Sequence, residues 1–222
     1  MGIWDKLGKV AAVVVDKAPE VLGKMAVEGA KMQRNALEKQ GKQIRDYEEK
    51  IKKVEANSHK LSLEQKMKLQ EKKKELESYN QKVNSVGASV KNGEVLYDGK
   101  SINEWKAKWQ GIGYLKSANL TPYNKCVGLY RHRVNGNIVY VGRAIELNNG
   151  GFRKRLSDYR RESDSARKHE SGKTINDHLD EIVTDILIVG ETEEAIKTTK
   201  LLENAFIGEY NPIWNKQNKK RY

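Results

Sequence analysis

Apolar residues that return at every seventh position constrain the first part of this chain to long helices. Ala30, Leu37, Ile44 and Ile51 form one such row, with Tyr47 and Val54 at the intervening heptad positions. Leu69, Leu76 and Val83 repeat the pattern, with Tyr79 and Val86 filling the second seam. This spacing, with Lys and Glu elsewhere, specifies a coiled-coil seam, because it keeps one stripe of each helix facing a partner. Between the rows lies Asn57-Ser58-His59-Lys60, and Ser62 with Gln65 spells a capping box that starts a second helix. Two helices joined by a short break predict an antiparallel hairpin. The same heptads serve an intramolecular hairpin or an intermolecular bundle. Pairing with a second copy of the chain, or docking of a partner protein, therefore stays open.

A chain of 222 residues allows one large domain, or a small domain with an appendage. Only 37% of it is hydrophobic, which suits a core domain joined to a solvated helical segment. A single cysteine, Cys126, excludes a disulfide framework and a Cys-based zinc site. With no stapling cysteines, a reducing cytoplasm is the default compartment. The longest apolar run, Val10–Val15, is far short of the ~20 residues of a membrane span. No small-residue cleavage site follows it, and Lys6 stands where an acylation signal wants Ser or Thr. Neither a transmembrane segment nor a targeting signal is expected.

Pro19 marks a boundary, so residues 3–17 read as a separate amphipathic helix with Trp4, Leu7, Ala11 and Val14 on one face. Asp5 and Asp16 on its polar side favour a packing helix over one that lies on a membrane surface. The net charge of +12 points to a polyanion, nucleic acid first and an acidic membrane face second. The excess is +6 in residues 1–90 and +6 in residues 91–222, so charge alone does not say which part binds it.

The chain divides into a helical or coiled-coil region over 1–90, a Trp-containing connector over 91–125, and a domain over 126–222. In the connector, Tyr97-Asp98-Gly99-Lys100 reads as a turn, and Ser101 with Glu104 as a second capping box. Trp105 and Trp109 are expected to share the face of the short helix that follows. Anchoring that helix to a neighbouring domain outweighs stacking on bases. Residues 111–123 carry Gly, Ser, Asn and Pro and read as loop.

From Cys126 onward the texture is β-rich. Val127–Val134 alternates, Asn135-Gly136 is a strong hairpin signal, and Ile138–Gly142 is the return strand. A helix follows with Phe152, Leu156 and Tyr159 on one face, then a strand of mostly β-branched residues over Val183–Val189. The last helix covers roughly residues 193–210, capped by Thr192 and ended by Pro212. The fold class is thus α+β: a small antiparallel three-stranded sheet flanked by helices, preceded by the α-helical hairpin.

Gly128-Leu129-Tyr130, with Tyr140-Val141-Gly142 ten residues on, resembles the paired motif that names the GIY-YIG nuclease family. Phe152–Tyr159 looks like the family's Arg-bearing helix, and is most similar to the version in bacterial excision-repair incision subunits, with a Tyr four residues after the Arg. Leu201–Ile207 resembles the helix that carries a metal-binding Glu, and Asn211–Asn215 the closing Asn-Pro…Asn segment. Together these pieces span about residues 126–216. Two departures stand out. Arg155 follows Gly142 by thirteen residues, a longer gap than the family's, with residues 146–151 as an inserted loop; Arg153 is the alternative register. Arg143 stands where the repair enzymes have Lys.

The resemblance implies a DNA endonuclease with one divalent ion, Mg²⁺ or Mn²⁺, on Glu203. It further implies that Arg155 clamps the scissile phosphate, that Tyr140 leads as general base, and that Tyr130 and Tyr159 position water or phosphate. Arg143 cannot relay protons, because it stays charged. Its expected task is to lower a tyrosine pKa or hold phosphate. A basic stripe of Arg153, Lys154, Arg160, Arg161, Arg167 and Lys168 is expected to contact DNA phosphates, with His169 and Asn215 as further contacts or supports. His59, His132 and His178 show no metal-ligand spacing. Two other readings compete: a nuclease-like module that binds DNA without cutting, and a structural coiled-coil protein.

Overall fold

The computed structural model describes residues 19–161 and 170–216. The expected helix over 3–17, and Arg167, Lys168 and His169 of the basic stripe, lie outside the described residues.

Helices α1 (Pro19–Glu55) and α2 (Leu63–Ser85) form the expected antiparallel hairpin. Across its seam the Tyr47 and Tyr79 rings lie 5.5 Å apart, and Lys73 pairs with Glu55 at 2.5 Å. Ser62 starts α2 as a reciprocal capping box: its hydroxyl accepts the Gln65 N–H at 3.2 Å and its own N–H donates to the Gln65 side chain at 2.9 Å.

The heptad row of α1 has a second partner, which spacing alone does not distinguish. Ala30, Leu37 and Ile44 are buried, and α1 packs on the last helix as well as on α2. Asn204 of that helix donates to the Gln33 side chain at 2.7 Å, and Arg34 pairs with Glu209. Much of α1 is therefore a core helix rather than a solvated arm.

The connector is also more ordered than expected. Strands β1 (Ala88–Lys91), β2 (Glu94–Tyr97) and β3 (Lys100–Ser101) make a three-stranded antiparallel sheet. Asn92-Gly93 and Asp98-Gly99 make its turns, with φ of +52°, +80°, +50° and +71° in chain order, the left-handed pair that two-residue hairpins require. Gly41 lets α1 lie on the first of these turns: a Cβ there would sit 2.6 Å from the Gly93 carbonyl oxygen.

Helix α3 (Ile102–Lys106) ends before Trp109, so the two tryptophans do not share its face. Trp105 is buried and donates through Nε1 to the Tyr97 carbonyl at 2.8 Å, while the Trp109 ring meets Phe206 at 5.4 Å. Both pack, as the anchoring expectation held.

The second sheet has four strands where three were expected: β4 (Gln110–Tyr114), β5 (Val127–Val134), β6 (Asn137–Ala144) and β7 (Val183–Gly190). Their order is β4-β7-β5-β6, all antiparallel. The extra strand begins at Gln110 and runs into the segment read as loop. Its Gly-rich sequence has little β-propensity of its own, and the open edge of β7 supplies the pairing.

Helices α4 (Gly151–Tyr159) and α5 (Glu170–Asp177) lie on one face of this sheet, with Leu115, Phe152, Leu156, Ile175 and Ile186 as their core. Helix α6 (Glu193–Tyr210) covers the other face, N-capped by Thr192 and ended by Asn211 in the left-handed region, just before Pro212. There Leu129, Val141, Leu187, Leu202 and Phe206 share a core with Leu37 and Ile44 of α1 and with Val95 and Trp105. Each fully buried aliphatic or aromatic side chain contributes about 1.5–3 kcal/mol, so the segment from Leu37 to Trp105 is a substantial part of this core. No helix among the described residues is long and apolar enough to cross a membrane.

Candidate functional site

Alternation along β5 sends Tyr130 and His132 toward α4, and the cross-strand register sets what they meet. Tyr130 lies opposite Gly142 on β6, and His132 opposite Tyr140. A Cβ at Gly142 would come within 2.4 Å of the Tyr130 hydroxyl oxygen. The glycine of the second motif therefore gives the tyrosine of the first room to lie across the neighbouring strand. That contact links the two triplets physically.

Tyr130 is completely buried, and its hydroxyl is 2.7 Å from that of Tyr159 on α4. Arg155, one turn earlier on α4, donates its Nε–H to the Tyr130 hydroxyl at 3.4 Å and lies over the Tyr159 ring at 5.9 Å. Burial pushes the Tyr130 hydroxyl well above the ordinary tyrosine pKa, against the opposing pull of Arg155, and burial does the same to Tyr159. Both phenols stay neutral. Arg155 is a guanidinium at any relevant pH, and the neutral Tyr130 hydroxyl serves as its acceptor.

This placement corrects the expectation that Tyr130 and Tyr159 touch water or phosphate. They are buried and hold Arg155 in position instead. Tyr140 is half-buried, and no hydrogen bond to its hydroxyl is present among the described residues. It stacks on the His132 ring at 5.9 Å and 19°. The structure also separates Arg155 from Arg153. Arg155 faces the phenols, while Arg153 is exposed on the outer side of α4.

Glu203 comes from the opposite face. Its side chain is 14% exposed, and Oε2 accepts a hydrogen bond from Arg143 of β6. Burial raises the Glu203 pKa, while Arg143 and then Arg155 draw it down. The Arg155 charge thus acts on Glu203 as well as on the phenols. Arg143, expected to act on a tyrosine or a phosphate, makes this ion pair, and 42% of its side chain remains exposed.

Among the described residues no group of three or more His, Cys, Asp or Glu side chains forms a metal cage. Glu203 Oε1 accepts no hydrogen bond among them. One free carboxylate oxygen fits an ion such as Mg²⁺, which takes one or two protein oxygens and keeps several waters.

Other expected contacts are used differently. Arg160 folds back, donating through Nη2 to the Ala118 carbonyl at 2.7 Å, with its Nε buried and without a partner among the described residues. It anchors the loop before β5. Arg161 is exposed and lies 3.4 Å from Asp158, and Lys154 is half-exposed. Asn215 donates to the Val141 carbonyl at 2.7 Å and accepts the Val141 N–H at 2.8 Å, so it pins β6, with one amide N–H left over.

Two residues near the site were not singled out from the sequence. His132 is fully buried, with Nδ1 at 3.0 Å from the Thr184 hydroxyl, and burial lowers its pKa to about 3. The period of two along β5 places it on the Tyr130 face, a signal the sequence did carry. Glu146, in the inserted loop, lies 3.9 Å from Arg155. A lone acid beside a basic helix was its only mark. Comparison of the chain with protein-family models, curated proteins and solved structures finds no match.

Proposed function

We propose that this chain is a divalent-metal-dependent DNA endonuclease of the GIY-YIG kind, which hydrolyses phosphodiester bonds. One observation carries the reading: the bonded Tyr130 and Tyr159 hydroxyls hold Arg155 on the sheet face that also carries half-exposed Tyr140, with the buried Glu203 carboxylate paired to Arg143. The +12 charge suits a polyanionic substrate.

The Arg155 N–H groups not engaged by Tyr130 bind the non-bridging oxygens of the scissile phosphate, and more strongly as charge accumulates there. Tyr130 and Tyr159 act through Arg155: neutral and buried, they fix its orientation without competing for its charge. Tyr140, whose hydroxyl makes no hydrogen bond among the described residues, holds the attacking water and takes its proton as the phenolate, its own proton having first passed to solvent. Glu203 is the residue that would hold Mg²⁺ or Mn²⁺, and the ion would supply further charge neutralisation at the phosphate. Arg143 draws the Glu203 pKa down against the burial that raises it.

The Arg143–Glu203 pair also favours a second reading, since a cation must share the carboxylate with a guanidinium. A module that binds DNA without cutting is compatible with that arrangement. Incubation of supercoiled plasmid with Mg²⁺ or Mn²⁺ separates the two. Under the nuclease reading wild type nicks, and Arg155→Ala and Glu203→Ala each lose about 100-fold or more in rate. Salt-sensitive binding with no nicking in either metal supports the module, and cleavage confined to RNA revises the substrate.

A further inference from the structure

We propose that Glu146 competes with phosphate for Arg155 and thereby sets how tightly the site holds nucleic acid. This rests on the reading of Arg155 as a phosphate clamp. Glu146 belongs to the loop between β6 and α4, and that loop is folded around it. Its carbonyl accepts the Asn149 N–H at 3.0 Å and the Gly151 N–H at 2.9 Å, and its Oε2 accepts the Ile145 N–H at 2.9 Å. With Oε2 fixed by backbone, Oε1 is held 3.9 Å from Arg155 Nη1.

That distance is an ion pair without a hydrogen bond. The carboxylate balances the guanidinium charge and leaves its N–H groups on that side without a close acceptor. A phosphate oxygen in the same place offers both charge and hydrogen bonds, so it displaces the carboxylate rather than adding to it. The pair is open to an incoming ligand, since 41% of the Arg155 side chain and 26% of the Glu146 side chain are exposed. Before substrate arrives, Glu146 keeps the guanidinium oriented. Afterwards it favours release by reclaiming the charge.

The test is equilibrium binding of a duplex oligonucleotide to the full chain in EDTA, so that no cleavage intervenes. Wild type, Glu146→Gln, Arg155→Ala and the double variant are compared. Gln keeps an oxygen for the Ile145 N–H, so the loop is preserved. Glu94→Gln, at an exposed acid on β2, controls for net charge. The expected result is that Glu146→Gln binds roughly three- to tenfold more tightly than wild type. In the Arg155→Ala background that gain falls to the level of the Glu94→Gln control. An equal gain with and without Arg155 overturns the proposal, because net charge then accounts for it. Weaker binding in Arg155→Ala with no gain in Glu146→Gln sinks the role of Glu146 alone. Unchanged affinity in Arg155→Ala removes the phosphate clamp and this proposal with it.

Discussion

Strand β5 sends alternate residues into two different environments. On the α4 side, Tyr130 and His132 enter a layer of neutral polar groups: two phenols sharing a hydrogen bond, an imidazole kept uncharged and the Thr184 hydroxyl. On the α6 side, Arg131 and Arg133 enter a layer of fixed charges. Both donate to Asp185 of β7, Arg131 at 2.7 Å and Arg133 at 2.8 and 3.0 Å, and the Arg131 guanidinium lies 4.6 Å over the Trp109 ring. Farther along, Arg143 pairs with Glu203, and Glu209 with Arg34 and Lys106. One side avoids ionisation by burial; the other tolerates it by pairing. The proposed phosphate site draws on both, with Arg155 as the charge admitted to the neutral side.

The largest expected break in this contrast is Asp185→Asn. It leaves two arginines facing each other across a site where the acid was only 3% exposed. We expect a loss of about 3 kcal/mol in urea unfolding, at the low end for a buried pair because both arginines reach solvent.

Next is the imidazole. A folded-state pKa of about 3 for His132 lies below the ordinary value of about 6.5. Its contribution to stability is complete above about pH 6.5 and declines as pH falls toward 3, because the unfolded chain takes up the proton first. At pH 5 the decline is about 2 kcal/mol, and it should vanish from the pH–stability slope of His132→Gln. A slope that survives the substitution assigns the acid sensitivity to another group.

The smallest effect sharpens the comparison most. Tyr130→Phe keeps the ring and removes the acceptor for Arg155, so about 1–2 kcal/mol of stability is lost. Nicking should fall while duplex binding changes little, because Arg155 loses its orientation and keeps its charge. Full nicking activity in Tyr130→Phe would separate the phenol pair from catalysis.

Much of the α4 side was legible in the sequence because local signals carried it. Alternation, Asn135-Gly136 and the Phe152, Leu156, Tyr159 periodicity fix strand, turn and helix independently of the rest of the chain. The α6 side was less legible. Leu37 and Ile44 announce a helix face and not its partner, since a hairpin helix and a core helix offer the same apolar stripe. Gln110–Tyr114 is a strand only because β7 has an edge to fill. Asn92-Gly93 carried the same turn chemistry as Asn135-Gly136, and applying that rule uniformly would have found the first sheet. In the site, the register resolved Arg155 from Arg153. The buried ends of Tyr130 and Arg160 depend on tertiary contacts with Gly142 and Ala118 that spacing does not encode.

Asn215 has a consequence for how these molecules behave at high concentration. β6 is the outer strand of its sheet, and the Asn215 side chain occupies both the N–H and the C=O of Val141. A single amide thus stands where the next ribbon of a growing aggregate would start to pair. The closing segment works as a stopper against self-association, and it keeps the border of the sheet from becoming a template for a neighbouring chain.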